Sequence, residues 1–422
     1  MYTKRGWKRT SVVVLLIITA VMLPLTAQGT KEKTTITYFS GRVETVDWTE
    51  KKIAEFEVLH PDIHVEHEFQ KDASNVMKVK LASNQIPDLT TVVNQDFIDQ
   101  GVFADLSNAE FWDRIIPSVK DLCTDLRTGK QYKVATNITM GGLFYNKEIF
   151  NELGLTDAQT WDEFVGNLEA IKQAYPDKVP LFFGGKDTWT LGHLIEFWAH
   201  GIVKQDLGIS GSRKAFLNND VDWDAPDGIM VHFAEALMEL KDKGLINEDA
   251  VTASYDNQKE AFASGEAVMI NQGMWVVGDI LKLNPAMREN IGFGPFPPVV
   301  DGFKPMVLCA EDSVYAIAAD TKNKDVVMTF LDYMFSPEVQ KEYCEVRGMP
   351  SAFVDVKADW GPIKDDAKLL VDTYVNINFS TEAPSGLSGD DAGRLIQKLL
   401  IGDYDSAEEF AEKYQTLWNE AY

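Results

Sequence analysis

From residue 34 onward the chain switches between apolar residues at every second position and apolar residues at every third or fourth. Thr34–Phe39 (TTITYF) is β-branched and aromatic and stops at Ser40-Gly41, which predicts a strand. Asp47 as N-cap with Glu50 three residues on has capping-box spacing. Ile53, Phe56 and Val58 or Leu59 then fall at helical intervals until Pro61 ends the run. Asp62–Phe69 alternates, with Ile63, Val65, His67 and Phe69 on one face. Strand, helix and strand within about 35 residues form a βαβ unit, which implies a parallel sheet.

The alternation continues. Val76–Ser83 reads as a helix and Asp88–Val93 as a strand; Gly142–Tyr145 reads as a short strand followed by a helix from Lys147. Thr160 caps a further helix with acids in its first turn and Phe164, Leu168 and Ile171 as its buried stripe. Helical patterns recur at Met230–Lys243 and Asp325–Phe335, with a further segment at Asn257–Ala263. Ala267–Ile270 and Val314–Ala318 read as strands, and Gly292–Pro298 as a turn-rich connection. No repeat of 20–50 residues and no low-complexity tract is visible.

The amino terminus breaks this pattern. Lys4, Arg5, Lys8 and Arg9 precede an apolar run from Val12 to Leu25, and Ala27-Gln28-Gly29 follows. The run has 14 residues, short of the about 20 needed to span a bilayer. Residues 1–29 therefore read as a secretory signal cleaved after Ala27 or Gly29, the alternative being a retained anchor.

The remainder has the balance of a soluble globular protein, the chain being 422 residues long, 45% hydrophobic and 25% charged. That length suits two to three domain-sized units. The formal net charge is −25, and −29 without the four basic residues of the leader. Such a charge repels phosphate backbones and argues against a nucleic-acid partner. Cys123, Cys309 and Cys344 form no disulfide framework and no CxxC pair. They allow one bridge with a spare thiol or three buried thiols.

A doubly wound sheet binds ligands at the carboxyl ends of its strands, so the loops after the strands hold the candidates. They are Ser40, Gly41 and Arg42; Asn94, Gln95 and Asp96; Gly184 through Trp189; and Asn271, Gln272, Gly273, Met274 and Trp275. Each loop offers hydrogen-bonding groups, and two offer a tryptophan. Sugars need this mixture, since hydroxyls take planar polar partners and ring C–H faces take an aromatic surface.

Several stretches resemble the extracellular solute-binding proteins of family 1, the maltose-binding-protein-like group. They are Phe56–Val65 (FEVLHPDIHV), Ile86–Leu89 (IPDL), Leu143–Lys147 (LFYNK), Thr160–Phe164 (TWDEF) and Phe262–Trp275 (FASGEAVMINQGMW). Lys322–Asp325, Phe330–Tyr333 and Ser336–Gln340 follow in the family's order. The resemblance implies an α/β, two-lobed, type II periplasmic-binding-protein-like fold. Each lobe is a mostly parallel sheet flanked by helices, and crossing hinge segments join them around a ligand. It implies lobes of residues 34–140 with 311–345, and 143–308 with 349–422. It maps polar ligand contacts onto Gln95 and Asp96, a crossing-segment contact onto Asn137 or Thr139, and sugar stacking onto Trp275. Ser40, Arg42, Trp189 and Gln272 join these as ligand-binding candidates, as do Glu311 and Asp312 before a strand at the lobe crossing. The family's lipoprotein cysteine is missing, which favours a periplasmic or extracellular monomer over a tethered one.

The implied function is capture of a sugar or oligosaccharide and delivery to the permease of an ABC importer, with no cofactor. A polyamine or organic anion is the alternative solute, and a secreted carbohydrate-active enzyme the remote alternative. A glycosidase needs two carboxylates flanking one bond, which this acidic composition does not exclude. No GxSxG or HExxH occurs. His64 points to the opposite strand face from His67, so His60, His64 and His67 are an awkward metal set. Asn137-Ile-Thr139 matches a glycosylation pattern by chance, and Gly141-Gly142 and Gly184-Gly185 lack the GK[ST] of a phosphate loop.

Overall fold

The computed structural model describes residues 33–125, 127–373, 375–378, 384 and 387–422, so the leader expected at residues 1–29 lies outside the described residues. The fold is α/β and two-lobed, with one path of strands running through both halves. The strands are β1 (Thr34–Ser40), β2 (Ile63–Phe69), β3 (Leu89–Thr90), β4 (Val134–Asn146), β5 (Val179–Phe182), β6 (Ala267–Gly273), β7 (Ile291–Gly294), β8 (Met306–Ile317) and β9 (Val375–Asn378). Their order is β2-β1-β3-β8-β4-β6-β5, with β7 on β4 and β9 on β8.

The first half begins with the predicted βαβ unit. β1 pairs in parallel with β2 along its whole length, from Thr34 opposite Ile63 to Ser40 opposite Phe69, and in parallel with β3. The helix Val46–Leu59 between them starts differently from the expectation. A short 3-10 turn, Val43–Thr45, leads into it, and Thr45 occupies the N-cap without a side-chain bond. Asp47 lies inside the first turn. Glu50 Oε1 bonds His67 Nδ1 at 2.5 Å instead of capping. Ile53 and Phe56 are buried, whereas Val58 and Leu59 point outward and are exposed.

The second half is assembled on β5, β6 and β7. Thr160 caps the helix Trp161–Ala174 as expected, accepting from Glu163 N, and Phe164, Leu168 and Ile171 are buried. The segment Gly292–Pro298, expected as a turn-rich connection, opens with β7, which pairs antiparallel with β4 from Leu143–Gly294 to Asn146–Ile291. Its four residues are all buried, so this edge is fixed by packing that a Gly- and Pro-rich string does not advertise.

β4 and β8 join the halves. β4 has 13 residues and β8 has 12, both far longer than the short strands expected at Gly142–Tyr145 and Val314–Ala318. They pair antiparallel from Val134–Tyr315 to Gly141–Leu308. Val134, Ala135, Tyr315 and Ile317 lie in the core around β1 and β2, whereas Leu143 and Leu308 lie in the core around the helices of the second half. A third segment crosses beside them: Ile138 N donates to Pro350 O and Ala352 N to Thr136 O. Cys123 and Cys344 are buried, and no disulfide joins the three cysteines. Among the described residues no helix is long and apolar enough to cross a membrane.

Candidate functional site

Loops from both halves face each other across a cleft of about 610 Å³, within the range of small-molecule sites. One wall comes from the turns after β1, β2 and β3: Gly41 to Glu44, Lys71 to Ser74, and Thr91 to Val93. The other comes from Lys186 to Trp189, Tyr255, Asp256 and Asp390.

The first wall is polar. Arg42 donates through Nη2 to Val314 O at 2.7 Å and lies over the Tyr315 ring, 5.2 Å from its centroid. Gly41 N donates to Thr91 Oγ1 at 3.3 Å, which ties two of the turns together. Just behind, Ser40 is buried with its hydroxyl 2.8 Å from His67 Nε2.

The second wall is aromatic. Trp189 opens the helix Trp189–Leu194, and Tyr255 opens the helix Tyr255–Ser264 behind a capping box from Ser254 to Asn257. The two rings meet edge to face at 4.9 Å. Their supports are rigid. Asp187 Oδ2 accepts from Tyr255 N at 2.7 Å, and Thr188 Oγ1 donates to Asp390 Oδ1 at 2.5 Å. The helix Trp189–Leu194 touches the helix Gly389–Ile401 backbone to backbone. A Cβ at Gly192 would come within 2.0 Å of Gly389 O, and one at Gly393 within 1.9 Å of Thr188 O. Burial pushes the Tyr255 hydroxyl well above its ordinary pKa, helped by Glu44, so it stays a donor.

Of the candidates named from sequence, Gly41 and Arg42 of the first loop and Lys186, Asp187, Thr188 and Trp189 of the third loop line this cleft. The others lie around it. Gln95 and Asp96 are in the helix Gln95–Asp99, where Gln95 Nε2 donates to Asp125 and Asp99, both at 2.9 Å. Asn137 is fully buried in the crossing, donating to Pro350 O at 3.2 Å and to Cys344 Sγ at 3.3 Å. Thr139 is buried on the same strand with no hydrogen-bond partner for its hydroxyl among the described residues. Gln272 donates to Gln258 Oε1 at 2.8 Å, and its own Oε1 is buried without a partner. Trp275 sits in the 3-10 turn after β6, half-buried, its ring edge on to His193 at 5.6 Å. Glu311 pairs with Lys133 at 2.7 Å and Asp312 with Arg347 at 3.1 Å.

Sequence reading missed Glu44, Asp72, Tyr255, Asp256 and Asp390. His60, His64 and His67 do not converge: His60 stacks on Phe56, His64 bonds Glu57, and His67 bonds Ser40 and Glu50. Among the described residues no group of three or more His, Cys, Asp or Glu is placed to hold a metal.

Known proteins fit this architecture. The melibiose/raffinose/stachyose-binding protein MelE of Bacillus subtilis is 27% identical over 412 residues, 96% of this chain and 94% of its own. The multiple sugar-binding protein of Streptococcus mutans is 28% identical over 347 residues, covering 79% of this chain and 78% of its own. The solved structure of the solute-binding protein RafE with raffinose superposes with a TM-score of 0.78 at 25% identity, covering 92% of this chain and 100% of RafE. Residues 43–341 match the model of the bacterial extracellular solute-binding proteins. The chain belongs to that family.

Proposed function

We propose that this protein captures a sugar or oligosaccharide in the cleft between its halves and delivers it to the membrane permease of an ABC importer. It acts as a binding protein rather than an enzyme. The observation that carries this reading is the opposition of the Trp189–Tyr255 aromatic wall to the polar turns around Arg42 and Glu44. A pyranose presents C–H faces to the first and hydroxyls to the second. The relatives support it, since MelE is named for melibiose, raffinose and stachyose and RafE was solved with raffinose.

The reading includes lobes of residues 34–140 with 311–345 and 143–308 with 349–422, with closure about the crossing strands on binding. It includes a leader at residues 1–29 and release as a monomer outside the cytoplasmic membrane, with no nucleic-acid partner. Its ligand contacts are Arg42 and Trp189 at the lining, with Ser40, Gln95, Asp96, Asn137, Thr139, Gln272, Glu311 and Asp312 supporting the site from behind and Trp275 packed on the core beside it.

Titration calorimetry with melibiose, raffinose, stachyose, spermidine and citrate tests it. We expect saturable heat with at least one of the three sugars. Binding of spermidine or citrate with none of the sugars would replace the sugar reading.

A further inference from the structure

The two walls of the cleft touch each other. Tyr255, on the second wall, donates its hydroxyl to Glu44 Oε1, on the first, at 3.4 Å. The other carboxylate oxygen of Glu44 lies 3.2 Å from Arg347 Nη1. Arg347 Nη2 in turn reaches Asp312 Oδ2 at 3.1 Å, and Asp312 Oδ1 accepts from Ser313 N. Tyr255 and Arg347 are 6% and 4% exposed. These contacts are therefore shielded from water, where hydrogen bonds to charged groups are stronger than on the surface.

The chain ends at the place where the crossing ribbon is irregular. Ser313 is buried inside β8 with φ of 55°, a left-handed conformation rare for serine. The β4–β8 ladder pairs Ala135 with Val314 and Asn137 with Asp312, and Thr136 and Ser313 between them are not paired. Thr136 Oγ1 donates to Ser313 O at 3.3 Å instead, and Tyr343 donates its hydroxyl to Ser313 Oγ at 3.0 Å. A left-handed residue kinks a strand, and its strain persists only where surrounding contacts hold it. The contacts that hold Ser313 share Asp312 with the contacts that hold Glu44.

We propose that Tyr255, Glu44, Arg347 and Asp312 form a closure strap that holds the two walls of the cleft together, with Tyr255 and Arg347 as its positioning residues. Opening the cleft separates Tyr255 from Glu44 and takes that donor from Oε1, while Oε2 keeps its ion pair with Arg347. The strap thus lowers the open population and hands a pre-aimed carboxylate to an incoming hydroxyl. It requires the two halves to move against each other but not that the ligand be a sugar, so a failed sugar titration leaves it standing.

The test uses the ligand-free protein. Donor and acceptor dyes on Val79→Cys and Ile401→Cys, both exposed and in different halves, report the open and closed populations by single-molecule energy transfer. Tyr255→Phe keeps the ring and removes the bond. We expect it to raise the open-to-closed ratio about tenfold, the scale of one charge-assisted bond. Arg347→Lys, which keeps the charge but loses the fork, should raise it by a smaller factor. Glu44→Gln should also open the cleft, and the Tyr255→Phe/Glu44→Gln double variant should open it no further than the stronger single. Melting curves accompany each variant. An unchanged distance distribution in Tyr255→Phe, or effects that simply add in the double variant, would overturn the strap.

Discussion

Trp189 and Trp275 begin from the same local situation and end differently. Each follows a strand and a glycine, each is half-buried, and each leans an edge on His193, at 5.2 and 5.6 Å. Trp189 opens a helix at the cleft, with Tyr255 against its edge. Trp275 lies over its own strand end: a Cβ at Gly273 would meet its six-membered ring at 2.0 Å. Both rings pack against the cluster that includes Ile270, Met274 and Val277, but only Trp189 also lines the cleft. The first ring is held at the rim of a cavity and the second roofs a core. The difference teaches that a tryptophan near a strand end becomes a binding surface only where its packing still leaves part of the ring at a cavity.

Trp275→Ala should produce the largest change. Removing a core-roofing indole costs about 3–5 kcal/mol of stability, read by denaturant unfolding, with affinity altered mainly through the unfolded fraction. A Trp275→Ala protein of normal stability that no longer binds sugar would erase the contrast. Trp189→Ala should do the reverse. The sugar loses about 1.5–3 kcal/mol of apolar contact, roughly 10- to 150-fold in Kd, while the melting temperature moves little. Calorimetry and thermal melting on the same two variants decide between the assignments.

Gly273→Ala sharpens the comparison with a single methyl group. It forces the Trp275 indole off its seat, and overpacking of this kind costs about 1–3 kcal/mol. The expected signature is altered Trp275 fluorescence with Trp189-dependent binding retained. Loss of binding equal to that of Trp189→Ala would mean that the two rings act as one surface.

The smallest effect concerns the imidazole between them. Burial pushes His193 down to about 4, so it stays neutral in the folded protein while its unfolded counterpart protonates near its ordinary pKa of about 6.5. The unfolded state then binds more protons between those values. This contribution to stability is complete above about 6.5 and is lost as the pH falls toward 4. Glu196, pushed up to about 7 by burial, works in the opposite sense. The informative quantity is therefore the wild type compared with His193→Gln, whose acid-side loss should be smaller. Sugar affinity should stay flat from pH 8 to 5, because the ring between the tryptophans does not charge.

Periodicity carried the local architecture: the βαβ unit, the Thr160 cap and the stripe Phe164, Leu168, Ile171 all follow from spacing within one element. The site was less legible because its residues meet from distant elements. Tyr255 was missed because the pattern Asn257–Ala263 was read without the Ser254–Asn257 capping box, which starts that helix two residues earlier. Asp390 reaches the cleft through Thr188, about two hundred residues away in the chain, and no periodicity reports such a contact. The capping spacing of Asp47 and Glu50 misled because His67, on the neighbouring strand, competes for the Glu50 carboxylate. Val58 and Leu59 sat at plausible helical intervals, yet among the described residues nothing covers that last turn.

The order of pairing along the path of strands has a consequence for how the molecule comes into being. β3 finds its outer partner in β8, with Leu89 opposite Ile317 and Thr90 opposite Ala316, more than two hundred residues downstream. The first half therefore cannot complete its sheet until almost the whole second half has been made. Its nucleus must wait for a long-range closure, whose entropic cost grows only slowly with loop length but whose search is slow. The pairing of β5 with β6 and of β4 with β7 needs no segment from beyond β7. The second half can thus begin to condense while β1 to β3 still present an unpaired edge. In pulse-labelling hydrogen exchange during refolding, the amides of β5, β6 and β7 should gain protection first and those of β3 last.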